Sequence, residues 1–142
     1  MSKIGIVSGY FNPIHQGHIE YINAAKDECD YLVVIVNNDD QVKLKGSSVF
    51  MDAEHRAFIL KNLKAVDEVL ISIDTDRSVA ESIKSVILFY PKSNIVFYNS
   101  GDRSPDTYES KEDAVCRENG ASTQFLDLPK VYSSSELKKS VY

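Results

Sequence analysis

The hydrophobic residues of this chain fall into short runs, and the first two runs predict strands. Residues 4–7 form one run, and residues 31–36 form a second, uninterrupted run that is rich in β-branched residues. A run of the second kind is typical of a strand covered on both faces, as in a parallel sheet. Between the runs, Ile19, Ile22 and Ala25 recur at near-helical spacing. Residues 4–36 are therefore predicted to form a β-α-β unit with a right-handed crossover.

Strands and helices are predicted to alternate through the rest of the chain. Further strands are expected at residues 66–73, 95–98 and 123–126, and the polar segments 37–51 and 99–109 are expected to be loops. This alternation implies an α/β fold, a doubly wound sheet of about five parallel strands with helices on both faces. A length of 142 residues fits one domain covering residues 1–142.

Caps and apolar spacing predict the helices that follow the first one. Asp52 and Ser78 are expected to be N-caps, and the helix begun at Ser78 is expected to end before Pro91. The expected apolar faces are Phe58, Ile59 and Leu63 in the first, and Val79, Ile83, Val86 and Ile87 in the second. A helix from about Lys111 is expected to end at Gly120, and a terminal helix is placed at residues 133–140.

The stretch from residue 9 to residue 18, Gly-Tyr-Phe-Asn-Pro-Ile-His-Gln-Gly-His, joins the first strand to the first helix. At such a turn, free backbone N–H groups and the positive end of the helix dipole favour an anion. Gly9 and Gly17 are expected to let the backbone bend and a ligand approach closely. His15 and His18, three residues apart, can point toward one spot. The pattern predicts a phosphate site at the carboxyl edge of the sheet.

Composition narrows the class of partner. The net charge of −5 argues against a general nucleic-acid surface, so functional basic residues are expected in a cleft. The scarcity of cysteine, with only Cys29 and Cys116, suits a reducing cytoplasm, although a disulfide between them stays open. No apolar stretch reaches the length of a membrane span. We expect a cytoplasmic protein with neither nucleic acid nor membrane as a partner.

The histidines allow two other interpretations. Either ring could simply cap the helix or pack against it. Alternatively, His15, His18 and His55, the three histidines of the chain, could bind zinc, although no Cys or Asp stands at a convincing spacing to complete the site. The phosphate interpretation explains the glycines and the strand-turn-helix context together, so we favour it.

Other polar residues near the same edge also have two interpretations. Lys43 and Lys45 are either solvated loop lysines or point charges that close over a polyphosphate. Arg56 either forms a surface ion pair or donates to phosphate as a fork. The segment 101–103 is an ordinary turn that also permits contact with an acceptor. Three serines could cap the last helix and bind a terminal phosphate: Ser133, Ser134 and Ser135.

The sequence contains no Ser-His-Asp or Cys-His arrangement and no P-loop pattern. If a phosphate monoester attacks the α-phosphate of a nucleotide in line, the nucleophile is already anionic. Such a reaction needs neither a general base nor a covalent intermediate. Its obstacles are repulsion between anions and the charge that builds on the α-phosphoryl oxygens and on pyrophosphate. Histidines, lysines and amide dipoles relieve these directly.

The segment His15-Gln16-Gly17-His18 resembles the His-x-Gly-His motif of the cytidylyltransferase-like nucleotidyltransferase superfamily, over residues from about 4 to 137. The chain is similar to the heptose-phosphate nucleotidyltransferase domain in residues 36–39 and 43–46. It is similar to glycerol-3-phosphate cytidylyltransferase in residues 54–56 and 66–69. The resemblance implies a Rossmann-like fold. It also implies transfer of CMP or AMP from the magnesium complex of CTP or ATP to a phosphorylated sugar or polyol, with release of pyrophosphate.

The resemblance also implies roles for particular residues. His15, His18 and Lys45 would be catalytic, and Mg²⁺ would be carried by the nucleotide rather than by a metal site of the protein. The nucleotide-binding residues would be Gly9, Tyr10, Phe11, Asn12, Gly17, Lys43, Ser133, Ser134 and Ser135. The substrate-binding residues would be Arg56, Asp102 and Arg103.

One departure from the family leaves the nucleotide open. Where cytidylyltransferases carry an arginine, this chain has Leu128, and Lys130 lies two places further on. Lysine cannot reproduce a two-pronged guanidinium contact, so CTP and ATP are equally open. The same departure motivates a second hypothesis, a non-catalytic nucleotide-binding or regulatory module. The resemblance also allows a homodimer.

Overall fold

The computed structural model of the chain describes residues 2–99 and 110–126. Two predicted segments lie outside this part of the chain: most of the 99–109 loop and the helix at 133–140. The elements in chain order are β1 (Lys3–Gly9), α1 (Gln16–Asp27), β2 (Tyr31–Val36), α2 (Asp39–Leu44), α3 (Ala53–Lys61), β3 (Glu68–Ile71), α4 (Ala80–Phe89), β4 (Asn94–Asn99), α5 (Lys111–Glu118) and β5 (Ser122–Phe125).

The five strands form one parallel sheet in the order β3-β2-β1-β4-β5. β1 is central, since its Ile6 pairs with Val33 of β2 on one side and with Phe97 of β4 on the other. The chain first winds outward from β1 to β3 and later from β4 to β5, so the direction of winding reverses between β1 and β4. The predicted α/β doubly wound, Rossmann-like sheet is confirmed. The turn after β1 lies at the switch point, where such sheets bind ligands.

Each face of the sheet has its own apolar core. α1 and α3 cover one face, with Ile22 and Leu60 in its core, and α4 and α5 cover the other, with Ile83 and Cys116 in its core. Successive residues of β2 alternate between the two cores, which explains its uninterrupted apolar run. Cys29 packs against the first core, so the two cysteines lie on opposite faces, and both are free thiols.

The helix α2 lies inside residues 37–51, where a loop was predicted. Asn38 begins it with a capping box: its side chain accepts from the Gln41 amide, and the Gln41 side chain accepts from the Asn38 amide. Val42 is its only fully buried apolar side chain. The prediction was wrong because a six-residue polar helix shows no apolar period.

The helix α3 begins at the predicted cap, Asp52, but its buried face was predicted only in part: Leu63 packs against the core, whereas Phe58 does not. Phe58 is 67% exposed, and the buried positions are Ala53, Arg56, Ala57 and Leu60. An arginine in the buried face hides it from any hydrophobic pattern.

The ends of α4 and α5 can be compared with the predicted caps. The N-cap of α4 is Val79 rather than Ser78, and the carboxylate of Asp74 accepts from the amides of Glu81 and Ser82. The capping acid comes from the preceding loop, so the helix does not need a serine at its own N-cap. After α5, Gly120 has φ +78°, as expected of a glycine that ends a helix.

Candidate active site

The turn that leaves β1 is bent at Phe11, not at its glycines. Phe11 has φ +50°, in the left-handed region that side chains other than glycine seldom adopt, and its ring is buried. A Cβ built on Gly9 would lie 2.9 Å from that ring. Neither Gly9 nor Gly17 has a positive φ. The expectation that these glycines bend the backbone was wrong: Gly9 is required by the Phe11 ring that lies against it.

His15 and His18 lie together at the start of α1. Their rings stack with centroids 3.7 Å apart and planes inclined by 21°, and the edge of the Phe11 ring contacts His18 at 5.0 Å between centroids. His15 is the N-cap, and its Nδ1 accepts from the Gly17 amide at 3.1 Å. In return, Nδ1 of His18 accepts from the His15 amide at 3.2 Å. The two imidazoles therefore form a capping box, a role usually filled by Ser or Thr with Glu or Gln.

This capping box corrects one expectation about the turn. Free backbone amides were expected in this turn, but the amide of Gly17 already donates to the ring of His15. The hydrogen-bond donors of this turn therefore include side chains as well as backbone amides, because each imidazole keeps a second nitrogen. A neutral imidazole whose Nδ1 accepts carries its proton on Nε2, so both rings present an N–H donor at Nε2.

Both rings are neutral near pH 7. Burial lowers the pKa of His15. Burial and, to a smaller extent, the charges of His15 and Lys45 lower the pKa of His18 to about 3. A neutral imidazole is a hydrogen-bond donor that brings no net charge, so positive charge for a triphosphate has to come from other groups.

Lys45 supplies positive charge beside the histidines, whereas Lys43 makes no such contact. Lys45 is the C-cap of α2, and its Nζ lies 4.3 Å from the centre of the Tyr10 ring, a cation–π arrangement. Its charge acts on the pKa of His18, which places it at the same site. Gly46 follows with φ +88° and ends the helix. Lys43 is exposed in the last turn of α2.

Asn12 is buried and holds two segments together. Its amide nitrogen donates to the carbonyl of Ser48 at 2.8 Å, and its oxygen accepts from the amides of Phe50 and Met51. The side chain was expected to bind nucleotide, but its hydrogen-bonding groups are engaged with backbone. Asn12 thus fixes segment 48–51 against the histidine turn.

Arg56 was expected to bind the substrate, but its side chain is buried inside the fold. Its side chain is 0% exposed, and its guanidinium donates four hydrogen bonds of 2.7–2.8 Å. The acceptors are the carbonyls of Met51, Tyr10 and Asn37 and the carboxylate of Asp39. A guanidinium with this burial has no open face toward a ligand, so the expected direct contact is corrected.

The site therefore combines residues that the sequence predicted with others that it did not. The structure brings together four of them: His15, His18, Lys45 and Tyr10. The side chains of Asn12 and Arg56 instead bond to the main chain of the surrounding segments. Asn37 and Asp39 were not predicted, although a polar Asn-Asn-Asp run directly after a buried strand was a usable signal. Five candidates lie outside the described residues: Asp102, Arg103, Ser133, Ser134 and Ser135.

A doubly wound parallel sheet that places His15, His18 and Lys45 beside its switch point is typical of nucleotide-binding proteins of Rossmann-like type. The profile of the cytidylyltransferase-like family matches residues 6–140. The chain belongs to this family and is a nucleotidyltransferase.

Similar proteins include FAD synthases and bifunctional HldE proteins. The FAD synthase of Picrophilus torridus is 26% identical over 140 residues, which cover 96% of this chain and 94% of that protein. The FAD synthase of Pyrococcus abyssi is 32% identical over 136 residues, which cover 95% of this chain and 86% of that protein. The bifunctional protein HldE of Helicobacter hepaticus is 32% identical over 143 residues, which cover 99% of this chain and 27% of that protein. The chain thus spans about a quarter of that HldE protein.

Solved structures support the fold. A lipopolysaccharide core biosynthesis protein from Thermoplasma volcanium GSS1 superimposes with a TM-score of 0.69 at 22% identity, covering 93% of this chain and all of that one. A bifunctional NMN adenylyltransferase/ADP ribose pyrophosphatase from Francisella tularensis gives 0.63 at 14% identity, covering 99% and 41%. Among the helices within residues 2–99 and 110–126, none is long and apolar enough to cross a membrane.

Proposed function

We propose that this protein transfers AMP from Mg·ATP to the phosphate group of a small molecule and releases pyrophosphate. The observation that carries the proposal is the stacked pair of neutral imidazoles at the start of α1, with the ammonium of Lys45 beside them. The choice of AMP over CMP draws on the FAD synthases, which align over most of their length and whose product contains an AMP unit joined to a flavin phosphate.

In this reaction an acceptor phosphate oxygen attacks the α-phosphorus of ATP in line. The new P–O bond forms as the bond to the β-phosphate oxygen breaks, and pyrophosphate leaves with that electron pair. The Nε2–H groups of His15 and His18 donate to phosphate oxygens as charge builds there, and Lys45 offsets the charge of the triphosphate. Because both imidazoles are neutral donors, neither has to give up or accept a proton during the step.

The donor set of the pocket fits the phosphates of a Mg·nucleotide rather than a bare metal ion. Within residues 2–99 and 110–126, no group of three or more His, Cys, Asp or Glu side chains is placed to hold a metal. In the proposed reaction, magnesium is bound to the triphosphate and would offset part of its charge. His15, His18 and Lys45 would hold the phosphate oxygens that the ion leaves free.

The acceptor is tested by pyrophosphate release. Purified protein is incubated with Mg·ATP or Mg·CTP and one of three phosphate monoesters, namely a flavin phosphate, a sugar phosphate or glycerol 3-phosphate. ATP-dependent release with one acceptor, and much less with CTP, is the expected result. Preference for CTP would refute the choice of AMP. Nucleotide binding without release from any acceptor would favour a regulatory module, which the substitution at Leu128 motivates.

Nucleotide binding is expected to stabilise the fold. At a concentration of 100 times its Kd, Mg·ATP should raise the free energy of unfolding by about 2.7 kcal/mol, because it binds only the folded state. Urea unfolding with and without the nucleotide measures this, and Mg·CTP at the same concentration is the control. Equal stabilisation by both nucleotides would contradict the preference for ATP.

The two lysines of α2 provide a matched pair for the charge at the site. Lys45→Ala should weaken Mg·ATP binding about 10- to 100-fold, since a hydrogen bond to a charged group contributes about 1.5–3 kcal/mol. Lys43→Ala removes the same charge two residues away. Both lysines are exposed, but it is Lys45 whose ammonium lies over the Tyr10 ring, so Lys43→Ala should change the Kd by less than about threefold. Calorimetric titration distinguishes them. Equal losses would mean that net charge, rather than the position of Lys45, governs binding.

A further inference from the structure

The guanidinium of Arg56 joins three segments that are distant in sequence. It reaches Tyr10 in the turn after β1, Asn37 and Asp39 at the start of α2, and Met51 in the segment before α3. These contacts span 46, 19, 17 and 5 residues. Three of the four acceptors are backbone carbonyls, and the fourth is the carboxylate of Asp39, the first residue of α2. The bonds therefore fix the course of the main chain and not just side chains.

Two of these segments carry the charged and aromatic parts of the anion pocket. Tyr10 offers its carbonyl to Arg56 and its ring to the ammonium of Lys45. Lys45 ends the six-residue helix whose first residue, Asp39, pairs with Arg56. The buried guanidinium of Arg56 therefore contacts both the main chain of Tyr10 and the helix that carries Lys45 at its C-terminal end.

We propose that Arg56 is a positioning residue that fixes α2, and with it Lys45, against the histidine turn. This inference rests on the proposed function only for its catalytic consequence, since the geometry can be measured without turnover. Lysine at this position has one compact donor group and cannot span four acceptors in the plane of a guanidinium. A displacement of about 1 Å at a reacting group is enough to cost roughly 100-fold in rate.

The first test observes the position of Lys45 directly by NMR. In the wild type, the ε-methylene protons of Lys45 should be shifted upfield by the ring current of Tyr10, and Tyr10→Leu should abolish the shift and so assign it. Arg56→Lys should also abolish it. The control is Arg117→Lys, the same substitution at an exposed arginine that pairs with Asp113 on α5. A shift that persists in a folded Arg56→Lys protein would overturn the inference.

The second test is a double-mutant cycle in kcat/KM at a temperature where circular dichroism shows every variant folded. Arg56→Lys should lower kcat/KM about 100-fold in the wild type but less than about threefold in Lys45→Ala, because the residue acts through Lys45. Equal losses in both backgrounds would mean that Arg56 serves the fold alone. If Arg56→Lys fails to fold, Asp39→Ala replaces it, because it removes only the bond to α2 from a side chain that is 37% exposed.

The two proposals fail in different ways. A wild type that shows the ring-current shift but releases no pyrophosphate with any nucleotide would refute the proposed function. The cycle is then measured in the Kd for Mg·ATP, where coupling between Arg56 and Lys45 is again expected. A wild type that turns over while Arg56→Lys keeps both the shift and the rate would refute the positioning role alone.

Discussion

Replacing His18 with alanine should lower turnover about 100- to 1000-fold. The loss of one preorganised donor to a developing oxyanion has effects of this size, about 2.7–4 kcal/mol. In the proposed reaction the Nε2–H of His18 is such a donor, because its Nδ1 is already occupied by the His15 amide. Initial rates of pyrophosphate release at saturating Mg·ATP and acceptor measure the effect. Turnover within about threefold of the wild type would remove His18 from the mechanism.

Two further variants separate the donor of His18 from its role as a helix cap. His18→Asn places an amide oxygen near the position of Nδ1, so the bond from the His15 amide can persist while the Nε2 donor is lost. His18→Gln places an N–H donor near the position of Nε2 but loses the cap. Turnover should therefore be low in His18→Asn and partly restored in His18→Gln. Stability should be closer to the wild type in His18→Asn, since a lost cap costs about 1 kcal/mol.

The sequence predicted those parts of the fold that are encoded by long apolar patterns. An uninterrupted apolar run predicts β2, because both faces of this strand are buried. Apolar residues on one helical face predict α4, namely Ile83, Val86 and Ile87. The helix α2 was missed because its capping box and buried Gln41 carry no hydrophobic period. The buried face of α3 also lacks a clear hydrophobic pattern, because its largest fully buried side chain is that of Arg56.

At the site, the sequence could predict contacts between residues close in the chain but not contacts between distant ones. His15 and His18 are three residues apart on one helix start, so their proximity follows from helix geometry. By contrast, the side chain of Asn12 bonds to residues 48–51, and Arg56 bonds to Tyr10 in the turn. These pairs are 36 to 46 residues apart in sequence, so no local pattern predicts them. Gly9 was singled out as a bending point, but a glycine is needed there because the Phe11 ring lies against it. That ring position depends on the positive φ of Phe11, which the sequence does not show.

The low pKa of His18 should make the fold less stable in acid. The pKa of His18 is about 3 in the folded protein, against an ordinary value of 6.5 in the unfolded chain. Well above pH 6.5 the ring is neutral in both states and contributes no pH dependence. Between pH 6.5 and about 3 the unfolded chain binds a proton that the folded protein excludes, so the free energy of unfolding falls as the pH falls. The slope from this residue is at most about 1.4 kcal/mol per pH unit.

Urea unfolding at about pH 7 and about pH 4.5 measures this contribution when it is compared with His18→Asn, which cannot titrate. The wild type should lose roughly 2–3 kcal/mol more than the variant over this interval. Carboxylates with lowered pKa values, Asp67 beside Lys26 and Asp76 beside Lys111, also lose their pairing in acid, but they do so equally in both proteins. Equal pH slopes in the two proteins would mean that His18 is solvated enough to protonate in place. The neutral donor assigned to it would then be a cation at mildly acidic pH.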